Sequence, residues 1–297
     1  MKGIILAGGA GSRLYPLTSI VTKQLQPIYD KPMIYYPLSL LMMCGVREVL
    51  IITTEYDKPF FENVLSDGAR FGISIHFEVQ AEPKGIAQAY LIGEKFLAGE
   101  DSIMVLGDNL FHGNFASFRS AVKHQLAKEG GLRAQVFAYP VTDPERYGVV
   151  EFDKKTKKVL SIVEKPENPR SNYAIPGLYL MDGSAPERAK VQKPSPRGEL
   201  EITDLIQSYL DEDSLRVEVI SRGMAWLDTG TPQSLLEASS YIAALEQRQG
   251  FKVACLEEIG LRMGFVDTDH FRKVINDTPN SPYQDYLKII LKEYEEE

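Results

Sequence analysis

The stretch GIILAGGAGSRLYPLT, Gly3 to Thr18, decides how the rest of the chain is read. Gly3–Ala7 is short, β-branched and apolar. It runs straight into Gly8, Gly9 and Gly11, and then Arg13 appears. Glycines let backbone N–H groups wrap a phosphate chain, and an arginine adds a charged fork for phosphate oxygens. The spacing matches neither common phosphate loop. Leu14 stands where the dinucleotide fingerprint needs its third glycine, and Gly11 is followed by Ser12-Arg13 rather than a Walker A ending. Alone, the loop also reads as a tight strand-to-helix turn with no ligand. Lys23 in TKQLQP, a second cation shortly downstream, favours a polyphosphate site.

Working outward, EVLIITT (Glu48–Thr54), ISIHFEV (Ile73–Val79) and SIMVLG (Ser102–Gly107) are further short runs bounded by turn residues. Amphipathic segments near Ile34–Cys44, Lys58–Leu65, Ile86–Phe96 and Phe115–Ala127 lie between and after them. This alternation predicts an α/β chain with a mostly parallel sheet and helices on both faces. Such sheets bind ligands beyond the carboxyl ends of their strands. The Gly8 loop follows the first strand and Gly107-Asp108-Asn109 follows the fourth, so both belong on one rim.

The second half is less regular. Tyr147–Asp153 and Lys158–Lys165 read as a hairpin, and Asn172–Asp182 as a strand interrupted at Pro176-Gly177. Ser184 and Glu187 suggest a capping box before a short helix. Gly198–Leu210 is expected to be helical with acids in its first turn, where the helix dipole favours them. Thr231-Pro232 starts a helix reaching about Gln249. Short helices follow Gly250, and the final acidic triplet is expected to fray.

Bulk properties narrow the function. The chain has 297 residues, 44% of them hydrophobic and 25% charged, which suits a globular protein. A net charge of −8 argues against a general nucleic-acid surface. Cys44 and Cys255 form no CxxC, and His76, His112, His124 and His270 form no metal-ligand motif. The N-terminal apolar run is too short for a secretory signal, and Met33–Val46 contains Pro37 and Ser39 and falls short of a bilayer span. The reading is a cytoplasmic protein with no membrane or nucleic-acid partner.

Two aspartates carry the metal argument. Asp108 ends the fourth strand in VLGDN, and Asp228 lies in AWLDTGTP, after a strand near Leu215–Ile220. A carboxylate at a strand's carboxyl end is well placed to hold Mg²⁺ against a phosphate. Taken singly, each also reads as a turn or helix cap. Asp267-Thr268-Asp269 is a DxD, the pattern of metal-dependent glycosyltransferases, but helix capping is its better reading.

GIILAGGAGSRLYPLT, TKQLQPIYDKPMIYYPLSLLM, GIAQAY, LGDNLF, DPERYGVV, EKPENPRSNYAIPGLY, PRGELEITD and WLDTGTPQSLLEAS together resemble the glucose-1-phosphate thymidylyltransferases, within the sugar-nucleotide pyrophosphorylases. The match is ordered and spans roughly residues 1–249. It implies a Rossmann-like nucleotidyltransferase sheet with a sugar-binding β-rich insertion and a helical C-terminal region. The implied division is a core over 1–240, with a nucleotide half to about 110 and a sugar-phosphate half over 111–240, and a C-terminal region over 241–297. By resemblance, Gly8, Gly9, Gly11, Ser12 and Arg13 hold the triphosphate, and Lys23 and Gln24 lie beside the reacting phosphates. Gln80 and Gly85 hold the pyrimidine, and Asp108 and Asp228 ligate Mg²⁺. Asn109, Tyr147, Gly148, Glu164, Asn172, Ile175 and Trp226 line the hexose, while Lys165 and Arg197 hold its phosphate. The implied partners are dTTP and glucose 1-phosphate, giving dTDP-glucose and pyrophosphate, with dTDP-L-rhamnose as inhibitor of a homotetramer. Gln26 departs from the apolar residue expected there, and KEGGLRAQVF is longer than usual. Thymine against uracil stays open, since one methyl discriminates only ~1–3 kcal/mol.

Overall fold

The Lys2–Leu6 strand lies between Glu48–Thr53 and Ser102–Leu106, parallel to both, inside a ten-stranded sheet. The protein is described by a computed structural model covering residues 1–9 and 11–296. Ser74–Val79 extends the parallel half beyond Glu48–Thr53. Successive strand side chains face opposite sides. Ile5, Val49, Ile51, Ile103 and Val105 therefore enter one apolar core, and Ile4, Leu50, Ile52 and Met104 enter the other. Both faces are covered, which explains why these strands read as continuous apolar runs.

Beyond Ser102–Leu106 the sheet turns antiparallel. Leu178–Met181 pairs with Ser102–Leu106 on one side and with Ala134–Pro140 on the other. The expected hairpin, Gly148–Phe152 with Val159–Glu164, joins through Tyr173–Ala174. Leu215–Val219 runs parallel to Ala134–Pro140. The helix Pro232–Gln249 starts on a Thr231–Ser234 capping box, where the Thr231-Pro232 signal puts it.

Several boundaries differ from the sequence reading. Ile86–Phe96 is two short helices, Gln88–Ile92 and Glu94–Leu97, meeting at Gly93 where the chain packs closely on Ile4. Ser184 makes no capping box, because its hydroxyl is committed to Asp182 at 2.6 Å. The helix expected from Gly198 begins only at Ile202. Glu199 and Glu201 lie ahead of it and bind Arg197 instead. The last helix, Pro282–Glu296, includes Glu295 and Glu296, where fraying was expected, and Glu297 lies outside the described residues. The expected divisions at 110 and 240 fall inside the strand Asn109–His112 and the helix Pro232–Gln249.

The helices Leu256–Arg262, Thr268–Asp277 and Pro282–Glu296 share an apolar core containing Leu261, Phe271 and Leu287. Asp267 of the DxD caps the middle helix, accepting from the His270 N–H. This region packs on the sheet domain at Gly260, where a Cβ would lie 2.5 Å from the Phe71 carbonyl oxygen. Arg70 pairs with Glu257 across the same junction at 2.8 Å.

Candidate active site

Strand register brings the first glycine loop and Asp108 together. Leu6 sits opposite Leu106, and the Gly107 N–H donates to the Leu6 carbonyl at 2.9 Å. Asp228 arrives by a separate route. It ends a strand of its own, Ala225–Asp228, which pairs antiparallel with Asn109–His112 and sets Asp228 opposite Asn109. The next residue, Thr229, donates its hydroxyl to the Asp108 carbonyl oxygen at 2.8 Å. The two aspartates are therefore neighbours on the rim. Thr229, the clamp between them, is itself fully buried.

Asn109 organises this corner. Its Oδ1 accepts from Trp226 Nε1 at 2.6 Å and from the Gly177 N–H at 3.1 Å. Its Nδ2 donates to Asp108 Oδ1 at 2.8 Å. Lys23 is buried and bonds Asp108 Oδ2 at 2.5 Å. Burial alone would raise the Asp108 carboxyl; the Lys23 charge and hydrogen bond, with the Asn109 amide, outweigh it and hold the group below its usual 3.8. Asp228 goes the other way. Burial and then the Asp108 charge push it above 3.8, and Lys23, Arg13 and Arg146 do not compensate. Neither Asp228 nor Arg13 makes an ion pair or side-chain hydrogen bond among the described residues. They flank Gly230, where a Cβ would stand 3.0 Å from Arg13 Nη2 and 3.2 Å from Asp228 Oδ1.

These residues open onto a cavity of about 310 Å³, near the lower end of the ~300–1,000 Å³ of small-molecule sites. Arg13, Asp108, Asn109, Tyr147, Gly148, Glu164, Lys165, Ile175, Trp226 and Asp228, all named from the sequence, line it. Tyr147 meets Trp226 edge-on, with ring centroids 5.1 Å apart. At Gly148 a Cβ would lie 3.1 Å from Thr203 and 3.4 Å from Glu164 Oε2, so a side chain there would crowd the wall. Sequence reasoning missed Arg146, Thr203, Ile86 and Tyr179 on the same lining. Arg146 had a signal, since it precedes Tyr147 in DPERYGVV.

The nucleotide side is built next to this cavity. Gly8 is buried against Gln80, and a Cβ there would stand 2.4 Å from Gln80 Oε1. Gly9 and Ser12 are exposed, and Gly11 has a φ of 59° at the entry to the turn Ser12–Leu14. Gln24 is buried, with its stem beneath Gly107 and its Oε1 accepting from Thr22. Gly85 has a φ of 102° and lies against the Leu200 backbone. Gln26 has a task of its own, donating to the Leu17 and Val21 carbonyl oxygens and so holding the loop beyond Arg13.

Two residues predicted for the sugar phosphate stand apart from the lining. Asn172 is exposed, and its carbonyl oxygen takes up the Val141 N–H. Arg197 bonds both Glu201 oxygens at 2.9 Å and reaches Glu164 only at 3.7 Å, because the loop before Ile202 places two acids around it.

The nucleotidyl transferase family matches residues 2–244. A glucose-1-phosphate thymidylyltransferase of Xanthomonas campestris pv. campestris is 52% identical over 98% of this chain and 97% of its own length. The chain belongs to the glucose-1-phosphate thymidylyltransferase family. Members from Neisseria meningitidis serogroup A and Mycobacterium tuberculosis are 50% and 47% identical, each over 98% of this chain and 99% or more of their own. A crystal structure from Bacillus anthracis, assigned to the same thymidylyltransferases and solved with a sucrose, superposes with a TM-score of 0.76 at 38% identity. It covers 86% of this chain and 98% of its own. A UDP-glucose pyrophosphorylase holding UDP-glucose gives 0.71 at 25% identity, over 83% of this chain and 99% of that one.

Nucleotidyl transferases of this family generally use a divalent cation. The donor set here fits one. Two hard carboxylates share a rim, and Asp228 is raised by burial and then by the charge of Asp108. No cluster of three or more His, Cys, Asp or Glu side chains that could hold a metal ion exists among the described residues. No described helix is long and apolar enough to cross a membrane.

Proposed function

We propose that this chain transfers the thymidylyl group of dTTP to glucose 1-phosphate, releasing pyrophosphate and dTDP-glucose, the first step toward dTDP-L-rhamnose. A phosphate oxygen of the sugar phosphate attacks the α-phosphorus, the bond to the bridging oxygen breaks, and pyrophosphate departs in line. The observation that carries this reading is the meeting of Asp108, Asp228 and Arg13, which has no ion pair among the described residues, on the lining of one cavity.

Charge is the obstacle. A sugar phosphate carries about −2 and a triphosphate about −4. At ~6 Å and an effective dielectric of ~20, eight unit repulsions sum to roughly 20 kcal/mol before screening. Mg²⁺ held by Asp108 and Asp228 would supply charge neutralisation of the phosphates. Arg13 meets the triphosphate as pyrophosphate charge develops. Lys23, anchored on Asp108, adds a fixed positive charge near the reacting phosphates. Lys165, and Arg197 once released from Glu201, receive the sugar phosphate. Tyr147, Gly148, Glu164, Ile175 and Trp226 receive the hexose, with Asn172 at its outer edge. Gly8, Gly9, Gly11 and Ser12 offer backbone to the triphosphate beside Gln24, and Gln80 and Gly85 read the base. A phosphate nucleophile needs no Ser-His-Asp group.

The reading carries three further proposals: a cytoplasmic setting, a homotetramer built through the 241–297 region, and inhibition by dTDP-L-rhamnose. The place proposed for such an effector is a second cavity of about 360 Å³, between Phe111 and His112 of the core and Ile259 and Arg262 of the C-terminal helices. The core itself divides near 110 into a nucleotide half and a sugar-phosphate half. The deciding assay mixes dTTP or UTP with glucose 1-phosphate and Mg²⁺ and quantifies pyrophosphate and nucleotide sugar. Both products are expected, faster with dTTP. Faster turnover with UTP, or no pyrophosphate from either, overturns the assignment.

A further inference from the structure

Gln80 follows the Ser74–Val79 strand, and its backbone N–H is held by the Thr53 carbonyl at 2.8 Å. Its side chain is buried and has one hydrogen-bond partner among the described residues: Nε2 donates to Gln88 Oε1 at 2.7 Å. That same Gln88 oxygen accepts the Lys84 backbone N–H at 2.9 Å. The chain of donors and acceptors has only one consistent sense. A backbone N–H can only donate, so the Gln88 atom facing it is the amide oxygen. An amide oxygen can only accept, so the Gln80 atom facing that is the NH₂. The Gln80 oxygen is thereby forced toward Gly8, where it takes no hydrogen bond from any described residue.

We infer that Gln88 is a positioning residue. By fixing the Gln80 amide with its oxygen outward, it makes the base site select a pyrimidine bearing an N–H at ring position 3. Thymine and uracil present that donor. Cytosine presents a lone pair there, which faces the Gln80 oxygen without a proton between them. A free glutamine would turn its amide over and read either edge. The inference rests on the assignment of Gln80 to the base and adds the source of its direction. The Gln88 contacts are short-range and belong to the local turn: Lys84 precedes the positive-φ Gly85, and Gln88 opens the helix Gln88–Ile92.

The test compares dTTP with dCTP in pyrophosphate release from glucose 1-phosphate and Mg²⁺. Gln88→Met keeps the length but removes the acceptor. It is expected to lower the dTTP:dCTP ratio of kcat/KM about ten-fold, the worth of one hydrogen bond. The change should enter through the nucleotide KM, leaving the KM for glucose 1-phosphate unmoved. Gln88→Glu retains an acceptor toward Lys84 and Gln80 and is expected to keep the ratio. Should Gln88→Met not fold, Gln88→Ala places the strongest helix former at the start of that helix and removes the same oxygen. A ratio unchanged by loss of the oxygen overturns the inference, as does an equal fall in Gln88→Glu. Gln80→Met separates the two levels. If it leaves dTTP kinetics and the ratio untouched, the base assignment itself fails. If it collapses the ratio while Gln88→Met or Gln88→Ala does not, only the role of Gln88 is lost.

Discussion

Replacing Lys23 by methionine removes the ammonium from a buried contact and leaves Asp108 without its ion-pair partner. The Lys23–Asp108 pair is 2.5 Å long, and the two side chains are 6% and 23% exposed. At an effective dielectric of ~20 the gross attraction is about 7 kcal/mol. Desolvation offsets much of it, yet removing one partner of a buried pair still costs roughly 3–5 kcal/mol, because the other charge is stranded. At about 2 °C per kcal/mol for a chain of this size, Lys23→Met should lower the metal-free thermal midpoint by roughly 6–10 °C. Asp108 then has no ion-pair partner among the described residues, and a divalent cation would take over that neutralisation. Mg²⁺ at ~100 times its Kd should return about 2.7 kcal/mol, or roughly 5 °C, and return more to the variant than to the wild type, where Lys23 already occupies Asp108. Differential scanning calorimetry in EDTA and across a Mg²⁺ series measures both numbers. An unchanged midpoint in EDTA, or equal Mg²⁺ shifts in the two proteins, would refute the reasoning that Lys23 and the cation share one pair of carboxylates.

Asp228→Asn should abolish turnover while raising the metal-free midpoint near neutral pH. Burial and the Asp108 charge lift the folded carboxyl above 3.8, so its favourable contribution is present below 3.8 and disappears as pH rises through the raised value. The ionised group is then a cost, which asparagine removes. The gain should shrink in acid, and a midpoint lower than wild type at pH 7 would contradict it. Arg13→Ala should reduce kcat about 10²–10³-fold with little change in KM, as expected for a contact that strengthens with departing charge. Steady-state kinetics showing the loss in KM alone would place Arg13 in ground-state binding. Gly85→Ala should destabilise by about 1–3 kcal/mol or more, since φ is 102° and the added Cβ would stand 2.3 Å from the Leu200 carbonyl oxygen. A urea midpoint equal to wild type would show that the loop can move aside.

Three strands of the parallel half, Lys2–Leu6, Glu48–Thr53 and Ser102–Leu106, were legible because they are largely buried on both faces, and the first and last run into glycine at Leu6-Ala7-Gly8 and Leu106-Gly107. The Asp108 and Arg13 ends of the site were legible for the same reason: each follows such a strand directly. Other parts lie beyond periodicity. Ala225–Asp228 and Asn109–His112 span four residues each, too few for alternation to register, and their pairing is a tertiary event. Ala134–Pro140 has partners on both edges and buried side chains on both faces, so its apolar run carries no period of two. Arg197 shows a different limit. Its sequence context offers a free cation, but Glu199 and Glu201 claim it once the helix start slips to Ile202. Thr203 and Tyr179 reach the cavity from elements whose direction only the packed sheet decides.

If Asp228 holds the cation, the strand Ala225–Asp228 also sets when the protein can first act during its own synthesis. The hydroxyl of Thr229 reaches back 121 residues to the Asp108 carbonyl oxygen. A nascent polypeptide still short of this point has its glycine loop, Arg13 and Asp108 but only one of the two carboxylates proposed to hold the cation. On the proposed reading, translation joins Asp228 only after every parallel strand of the sheet has been made, and a chain cut short of it would lack the second carboxylate and should release no pyrophosphate from thymidine triphosphate.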